Sequence, residues 1–448
     1  MGSAGIGEPI KRGLSRVLWC WLIAALVIGA GFRIARLFDE PLVRADGKIR
    51  YEAVARNLAA GNGFSSDTKP PYRPQEYEMP GYPVFWAALL IVSGDSLRFS
   101  MLAQSALEVV TLLLVGAIAG KAISPRARLP AIGLGAGCLF LPSIATEFLT
   151  ETLSIALTTT LFALLFMVVR NPSRLFLCGL TGVVAGLAIL TRVDALLFVG
   201  LGVPTALALH SGRRVLGLVI FLASFFLTLL PWWLRDFAVL GRLSPPGIAQ
   251  FSYSHVGPGY RRWMNTWVDK GADVEHYVWG NRTDFPATGV LGAAEREAAQ
   301  ALRARSLQEG VNPFSETVDA GFRGLALKAY RERPVTAFIT AGLRRLLDSA
   351  SRVPSLITTD PGITPLRLYG YAHWLALLVL ALAGAISHPS REVLWLSLAL
   401  IVSRLGIPFA SAWGLETRYL YQAVPAVVLL GSVVFSRLAD PKRLSPID

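Results

Sequence analysis

Charged residues are scarce in this chain. Only 16% of its 448 residues are Asp, Glu, Lys or Arg, whereas 53% are hydrophobic and the mean hydropathy is +0.50. Because a soluble globular domain averages about 25% charged residues, this composition predicts a multi-pass membrane protein. The net charge is +13. In a membrane protein such an excess first indicates basic cytoplasmic loops, and nucleic-acid binding is not expected.

Cysteine is also rare, and several common sequence features are missing. Cys20, Cys138 and Cys178 lie in apolar runs with no CxxC spacing and no histidine at a metal-binding spacing. They predict small buried side chains, and neither a disulfide framework nor a metal site. No A-x-A-like cleavage site follows the first apolar run, so we expect that run to be retained as a helix. There is no internal repeat and no low-complexity tract.

Ten apolar runs approach the roughly 20 residues that a membrane-spanning helix needs. They are 17–36, 98–120, 129–145, 147–169, 174–191, 193–209, 215–233, 367–387, 393–409 and 419–437. If the N-terminus is cytoplasmic, every short cytoplasmic loop and the C-terminal tail carry Lys or Arg, as the positive-inside rule requires. The sequence therefore predicts an all-α polytopic protein with about ten spans and both termini in the cytoplasm.

Two long segments fall on the outer side in this topology. In segment 37–97, "DGKIRYEAVARNLAAGNGF" places Tyr51, Val54, Ala55 and Leu58 on one helical face, which predicts an interfacial helix. The apolar run 82–93 is too short to span and predicts a second interfacial or re-entrant helix. The other long segment is aromatic and mixed in charge. These features divide the chain into a transmembrane module at 1–234 with its outer loop, an outer loop region at 235–366, and C-terminal helices with a tail at 367–448.

Three acidic residues stand at the outer membrane boundary. Asp46 opens the first interfacial helix, where helix capping is an equally sufficient explanation. Glu78 lies in "EYEMPGYP" and on local grounds is a plain turn residue. Glu151 lies one turn deeper than Glu147 at the start of the fourth predicted span. An acid at that depth is a candidate functional residue.

Arginines occur on the same side. Arg192 and Arg235 follow predicted spans and Arg418 directly precedes the last one. Each alone is explained by a local ion pair or by a side chain that reaches the interface. Their convergence with the three acids on one face points to chemistry on an anionic, lipid-linked substrate. Arginine binds phosphate oxygens bidentately, and a carboxylate can accept a proton from an attacking hydroxyl.

The order of six motifs carries a family resemblance. They are "DGKIRYEAVARNLAAGNGF", "EMPGYPVFWAALL", "TETLSIAL", "LAILTRVDALL", "LLPWWLRDFAVLGRL" and "ETRYLYQAVP". Together they resemble the GT-C superfamily of polyprenyl-phosphate-sugar glycosyltransferases, closest to bacterial relatives of protein O-mannosyltransferases and of lipid A aminoarabinose transferase. The resemblance implies a GT-C-type fold in the bacterial inner membrane. It also implies sugar transfer from a polyprenyl-phosphate donor to a hydroxyl of a glycolipid, polysaccharide or protein acceptor on the outer face.

The resemblance also implies residue roles. Asp46 matches the family's catalytic acid in the first outer loop and would act as general base in an inverting transfer. Glu78 and Glu151 match its second acid and the acid near the start of the fourth helix. Arg50 matches a basic residue that is a candidate phosphate contact.

Two positions depart from the family pattern. Gly47 follows Asp46 where many relatives have a second acid, and Met79 stands where the aminoarabinose branch has a lysine. Arg192, Arg235 or Arg418 are then expected to supply the donor phosphate contacts. No obligatory metal or other cofactor is expected.

Two other functions stay open at this point. A transporter or flippase of lipid-linked glycans would predict internal repeats and charges near the membrane midplane. A polymerase or ligase of the O-antigen type would place signature arginines and a histidine in one large outer loop. His255 in "SYSHVGPGY" keeps that interpretation open.

Overall fold

The computed structural model describes most of the chain as helix. The described residues are 7–38, 51–75, 78–209, 212–241, 257–274, 276–277, 282–286, 291–309, 314–352, 364–387 and 389–438, and no strand occurs among them.

The α-helices are numbered here in chain order. The first ten are α1 (Gly7–Leu37), α2 (Ala53–Ala59), α3 (Gly81–Ser93), α4 (Leu97–Ala122), α5 (Arg128–Ala136), α6 (Phe140–Ala145), α7 (Glu151–Arg170), α8 (Phe176–Thr191), α9 (Ala195–Leu209) and α10 (Arg214–Leu240). The remaining eight are α11 (Pro258–Met264), α12 (Gly271–Val274), α13 (Ala293–Glu309), α14 (Glu316–Glu332), α15 (Ala341–Ser351), α16 (Thr364–Ile386), α17 (Arg391–Ala410) and α18 (Val424–Leu438). Short 3₁₀ turns cover Pro125–Ala127, Ala412–Leu415 and Thr417–Ala423, and a π-helical turn covers Val335–Thr340.

The multi-pass helical architecture is confirmed, but the count of ten spans is not. Among the described residues, seven helical segments are long and apolar enough to cross a membrane: Ser15–Leu37, Leu97–Ala122, Glu151–Arg170, Arg214–Leu240, Pro365–Ile386, Arg391–Ala410 and Thr417–Leu438. Helices α8 and α9 have 16 and 15 residues, fewer than the roughly 20 that a straight span needs.

The expected span 129–145 is divided into α5 and α6. The break lies around Gly137, where an added Cβ would lie only 2.1 Å from the ring of His373. The same ring forms a 2.9 Å hydrogen bond through Nε2 with the carbonyl of Leu134 in α5. A side chain from α16 thus occupies the space at which the continuous helix was expected.

Contacts between helix ends define two faces of the bundle. On one face, Arg170 at the end of α7 donates to the carbonyl of Ala122 at the end of α4 (2.9 Å) and pairs with Glu392 at the start of α17 (2.7 Å). On the other face, the start of α7 meets the end of α8 through Glu151 and Arg192. The helix directions therefore alternate as the loop-charge pattern predicts. We call the second face the site face.

The spans pack closely where small residues face each other. A Cβ added to Gly182 in α8 would lie 2.3 Å from the carbonyl oxygen of Phe221 in α10. Such contacts are typical of membrane helices, because close van der Waals packing rather than the hydrophobic effect drives their association.

The first long outer segment folds onto the site face. Val54 and Ala55 of α2 are fully buried, and Ala55 packs with α3 residues in one apolar cluster. At Gly81, the first residue of α3, an added Cβ would lie 2.5 Å from Thr191 Oγ1 at the end of α8. The Pro-Gly-Tyr-Pro motif therefore brings the segment that carries Glu78 to the end of α8.

The second long outer segment has its own apolar core. Buried aromatic rings from α11, α14 and the turns between them form it, among them Tyr260, Trp263 and Phe322. Helix α10 continues to Leu240, so the expected boundary at 234 falls inside a helix. The division into 1–234, 235–366 and 367–448 remains a prediction.

Arg345 of α15 attaches this segment to the spans. Its fully buried guanidinium donates to the carbonyls of Pro408 and Phe409 at the end of α17, and of Asn265 and Val268 after α11, at 2.8–3.0 Å.

Candidate functional site

Two arginines converge on a buried carboxylate at the site face. Glu151, the first residue of α7, is fully buried, and its Oε1 lies 2.7 Å from Nη1 of Arg192 and 3.4 Å from Nε of Arg418. Thr150 supplies a hydroxyl that donates to the other carboxylate oxygen (3.3 Å). The helix N-terminus further favours negative charge at this position. The three predicted site residues are thus brought together.

The two arginine side chains, rather than Glu151, are the partly exposed members of this cluster. The side chains of Arg192 and Arg418 are 13% and 20% exposed, whereas that of Glu151 is 0% exposed. Arg418 also pairs with Glu416, and the guanidinium of Arg192 lies over the ring of Tyr419 at 4.8 Å. An anion that reaches this cluster from solvent therefore meets arginine before it meets the carboxylate.

A second layer of residues, made of Asp194, Arg404 and Gln422, lies behind Arg192 and holds its position. Asp194 accepts from Nε of Arg192 (3.1 Å) and from Nη1 of the fully buried Arg404 (3.3 Å). Arg404 also donates to Gln422 Oε1 (2.8 Å). Burial opposes ionisation of Asp194, but the charges of Arg192 and Arg404 outweigh it and hold the pKa of that carboxyl below its ordinary value. Asp194 is therefore an anion that two arginines share.

Tyr51 connects the first outer segment to the cluster. Burial, and then the charges of Glu78 and Glu151, raise the pKa of its hydroxyl above the ordinary value, while Arg418 and Arg192 oppose them. Glu78, Glu151, Arg192 and Arg418 therefore all act electrostatically on the same phenol. Glu78 itself is buried, with 3% exposure. The local sequence favours a solvated turn residue at this position, and the observed burial shows that this interpretation is wrong.

Arg235 occupies a neighbouring position. It donates to the carbonyl of Gln75 (3.1 Å) and pairs with the buried Asp236 (2.8 Å). Its guanidinium also lies over the rings of Trp232 (4.8 Å) and Phe64 (5.5 Å). These contacts fasten the end of α10 to the outer segment three residues before Glu78. The observed contacts do not join Arg235 to Glu151.

Several expected residues lie outside the described part of the chain. They are Asp46, Arg50 and His255. The assignment of Asp46 as general base and of Arg50 as a phosphate contact therefore stays a prediction. Among the residues that are described, no three His, Cys, Asp or Glu side chains form a group that could hold a metal ion. The expected absence of an obligatory metal likewise stays a prediction.

The sequence analysis missed Arg404. It lies in "IVSRLGIPF", near the end of an apolar run, and a lone charge inside a span is a functional candidate in its own right. That signal was available, but its partners Asp194 and Gln422 come from distant parts of the chain.

Solved structures resemble the fold, whereas no protein-family model and no curated protein sequence matches the chain. The archaeal oligosaccharyltransferase AglB from Archaeoglobus fulgidus, solved with an inhibitory peptide and a dolichol-phosphate, aligns at a TM-score of 0.50 and 15% identity. The alignment covers 96% of this chain and 52% of AglB. The chain therefore spans about half the length of that protein.

ArnT from Cupriavidus metallidurans, solved with undecaprenyl phosphate, aligns at a TM-score of 0.40 and 15% identity over 93% of this chain and 78% of ArnT. The likeness to AglB confirms the GT-C-type fold that the sequence motifs implied.

Proposed function

We propose that this chain is a membrane glycosyltransferase that moves a sugar from a polyprenyl-phosphate donor to an acceptor hydroxyl. The observation that carries the proposal is the convergence of Arg192 and Arg418 on the buried Glu151 at one membrane face of a GT-C fold. AglB, which shares the fold, was solved with a dolichol-phosphate. A lipid phosphate is thus a ligand that this architecture accommodates in that protein.

The donor phosphate would bind at the guanidinium groups of Arg192 and Arg418. Arg192 and Arg418 present planar donors that match phosphate oxygens, and Glu151 and Asp194 fix their positions from the buried side. A preorganised positive group stabilises charge that develops on a leaving phosphate. Arg235 and Arg50 are further candidates for the phosphate, and Glu78 would hydrogen-bond sugar or acceptor hydroxyls.

The transfer would proceed with inversion at the anomeric carbon. The acceptor hydroxyl oxygen forms a bond to that carbon while the bond from carbon to the phosphate oxygen breaks. The hydroxyl proton goes to Asp46, and polyprenyl phosphate leaves with the bonding electron pair. The assignment of Asp46 as base rests on the sequence resemblance. We further propose that no metal is obligatory, and that the site face is the outer face of a bacterial inner membrane.

An apolar groove is a candidate for the donor's polyprenyl tail. It has a volume of about 440 Å³ and lies among α1, α4 and α5. Arg36, near the end of α1, lines it at the site face, and Leu26 lines it deeper in the membrane. Below Arg36 the wall is mostly apolar and includes the Arg33–Glu108 ion pair. A mostly apolar groove with arginine at its shallow end suits a lipid with an anionic head.

The groove can be tested by narrowing it. An Ala106→Trp substitution on its wall is expected to raise the KM for a long-chain donor more than for a short-chain one. Leu180→Trp, on the exposed surface of α8, is the matched control. Equal effects of the two variants would rule out this groove as the tail site.

The transfer reaction is tested with purified protein, a panel of polyprenyl-phosphate sugars and a panel of lipid, polysaccharide and peptide acceptors. The wild type is compared with Asp46→Asn and Glu151→Gln. We expect transfer of one sugar by the wild type and a loss of about 100-fold or more in Asp46→Asn. Near wild-type transfer by Asp46→Asn would show that Asp46 is not the base.

A further inference from the structure

A row of exposed apolar side chains runs along the helical segment 335–351 of the outer loop region. Val335, Phe338, Ile339, Leu343 and Leu347 are each between 43% and 68% exposed. They recur after three, one, four and four residues, a spacing that puts them on one face of the continuous π- and α-helical segment. We call these five residues the apolar stripe.

The opposite face of this segment is anchored to the end of a membrane span. Gly342 lies against Phe409, with an added Cβ only 2.8 Å from its ring. Arg345 fixes the register through the carbonyls of Pro408 and Phe409. Because the span α17 ends at Ala410, the apolar stripe lies at the level where the bilayer surface begins.

The surroundings of the apolar stripe match a bilayer better than a second protein. Phe338, at the edge of the stripe, packs edge-to-face on Phe409 at 5.6 Å, so the stripe continues the surface of α17, on which Val402 and Trp395 are exposed. Arg344, 56% exposed, stands beside the stripe and pairs with Asp269 (3.3 Å). An exposed apolar face bordered by a cation is the pattern of helices that lie in the headgroup region.

The same helix is bonded to the turn that leads to the candidate site. Arg352 donates to the carbonyl of Leu415 (2.8 Å), and Ser349 donates to the same oxygen (3.4 Å). Leu415 lies three residues before Arg418. The depth of this helix in the membrane therefore determines the position, along the membrane normal, of the turn that carries Arg418.

We propose that the apolar stripe inserts into the headgroup region of the bilayer on the site face. The insertion anchors the outer loop region on the membrane and holds the Leu415–Arg418 turn at the depth of lipid headgroups. This surface is distinct from the cluster around Glu151, and its role as a lipid-binding face holds whatever reaction that cluster performs.

The test places a bimane fluorophore at Leu347→Cys in a Cys20→Ser background, with the protein in nanodiscs. Cys138 and Cys178 are buried. Leu307→Cys in α13 is the control, because Leu307 is also exposed, at 44%, but lies among polar side chains. Phospholipids brominated near the headgroup are the quencher. We expect quenching at position 347 at least about twofold stronger than at position 307, since an interfacial helix buries its apolar face about 5–10 Å deep.

Equal quenching at the two positions would overturn the proposal. A water-soluble maleimide gives a second readout: position 347 is expected to be protected in nanodiscs and position 307 to react. Disulfide-linked dimers of the unlabelled Leu347→Cys variant would also overturn the proposal, because they would assign the stripe to a contact between two copies of the chain.

Discussion

Arg192 and Glu151 form an ion pair of 2.7 Å between the end of one membrane helix and the start of another. The carboxylate is fully buried, and Arg418 approaches the same oxygen at 3.4 Å. The two arginines belong to two different connections between helices. Their contacts with Glu151 therefore fix the relative positions of three parts of the site face. An arrangement in which one carboxylate orients two partly exposed arginine side chains is suited to the binding of an anionic group.

Removal of the Glu151 carboxylate is expected to destabilise the protein. In Glu151→Ala, Arg192 and Arg418 would face each other without a shared anion, and breaking a buried ion pair costs about 3–5 kcal/mol. Thermal unfolding in detergent measures the change. Glu332→Ala, which removes the partner of the exposed Lys328, should leave the midpoint nearly unchanged. Equal shifts in the two variants would contradict the buried pair.

Arg404 and Asp194 are expected to act as one unit. Each of the substitutions Arg404→Met and Asp194→Asn disturbs the second layer that positions Arg192, so the double variant should lose less stability than the two losses added together. For residues in one network the coupling is about 0.5–3 kcal/mol. Arg404→Met combined with Glu108→Gln, whose partner is Arg33, serves as the control and should be additive. Additivity in both pairs would refute the shared role of Asp194.

Gly81 is expected to tolerate no side chain. An added Cβ would lie 2.5 Å from Thr191 Oγ1 and 2.8 Å from the backbone nitrogen of the same residue. Gly81→Ala should therefore push the start of α3 away from α8, lower the free energy of unfolding by about 1–3 kcal/mol and weaken donor binding. Gly200→Ala is the control, since nothing lies within 4 Å of a Cβ there. A stable Gly81→Ala variant with normal donor binding would argue against this close approach.

Arg345 is expected to secure the outer loop region. Arg345→Met would leave carbonyls of Asn265, Val268, Pro408 and Phe409 without their donor, which should cost at least about 2 kcal/mol. Hydrogen exchange should then increase in 257–352, while the spans α7 and α8 keep their protection. Arg305→Met, on an exposed surface, should change neither. Unchanged exchange in Arg345→Met would mean that other contacts hold the region.

Most spans were predictable from the sequence because a long apolar run in lipid must satisfy its backbone groups within a helix. The prediction failed at 129–145, where Pro142 removes a helical hydrogen bond to the carbonyl of Cys138 and His373, more than two hundred positions away in the chain, fills the space beside Gly137. Hydropathy measures the composition of a run and contains no information about a side chain that another helix inserts into it.

The sequence also predicted that three of the site residues lie together at one face of the bundle. Glu151, Arg192 and Arg418 were selected because loop charge placed them on one side, and the structure brings them into contact. Local pattern gave the wrong environment for Glu78, since its burial depends on the packing of α3 against α8. The hydrogen bonds of Arg404 with Asp194 and Gln422 could not be predicted from the sequence. Such a prediction requires knowing which helices are neighbours.

The most direct test of the proposed function distinguishes sugar transfer from lipid movement. Purified protein is reconstituted in vesicles with a polyprenyl-phosphate sugar that it consumes in the panel assay, together with its acceptor. Free polyprenyl phosphate, glycosylated acceptor and intact donor in each leaflet are then measured over time. We expect polyprenyl phosphate and glycosylated acceptor to appear in equal amounts, and Glu151→Gln to reduce both. Movement of intact donor between leaflets without release of polyprenyl phosphate would contradict the glycosyltransferase account and identify a transporter.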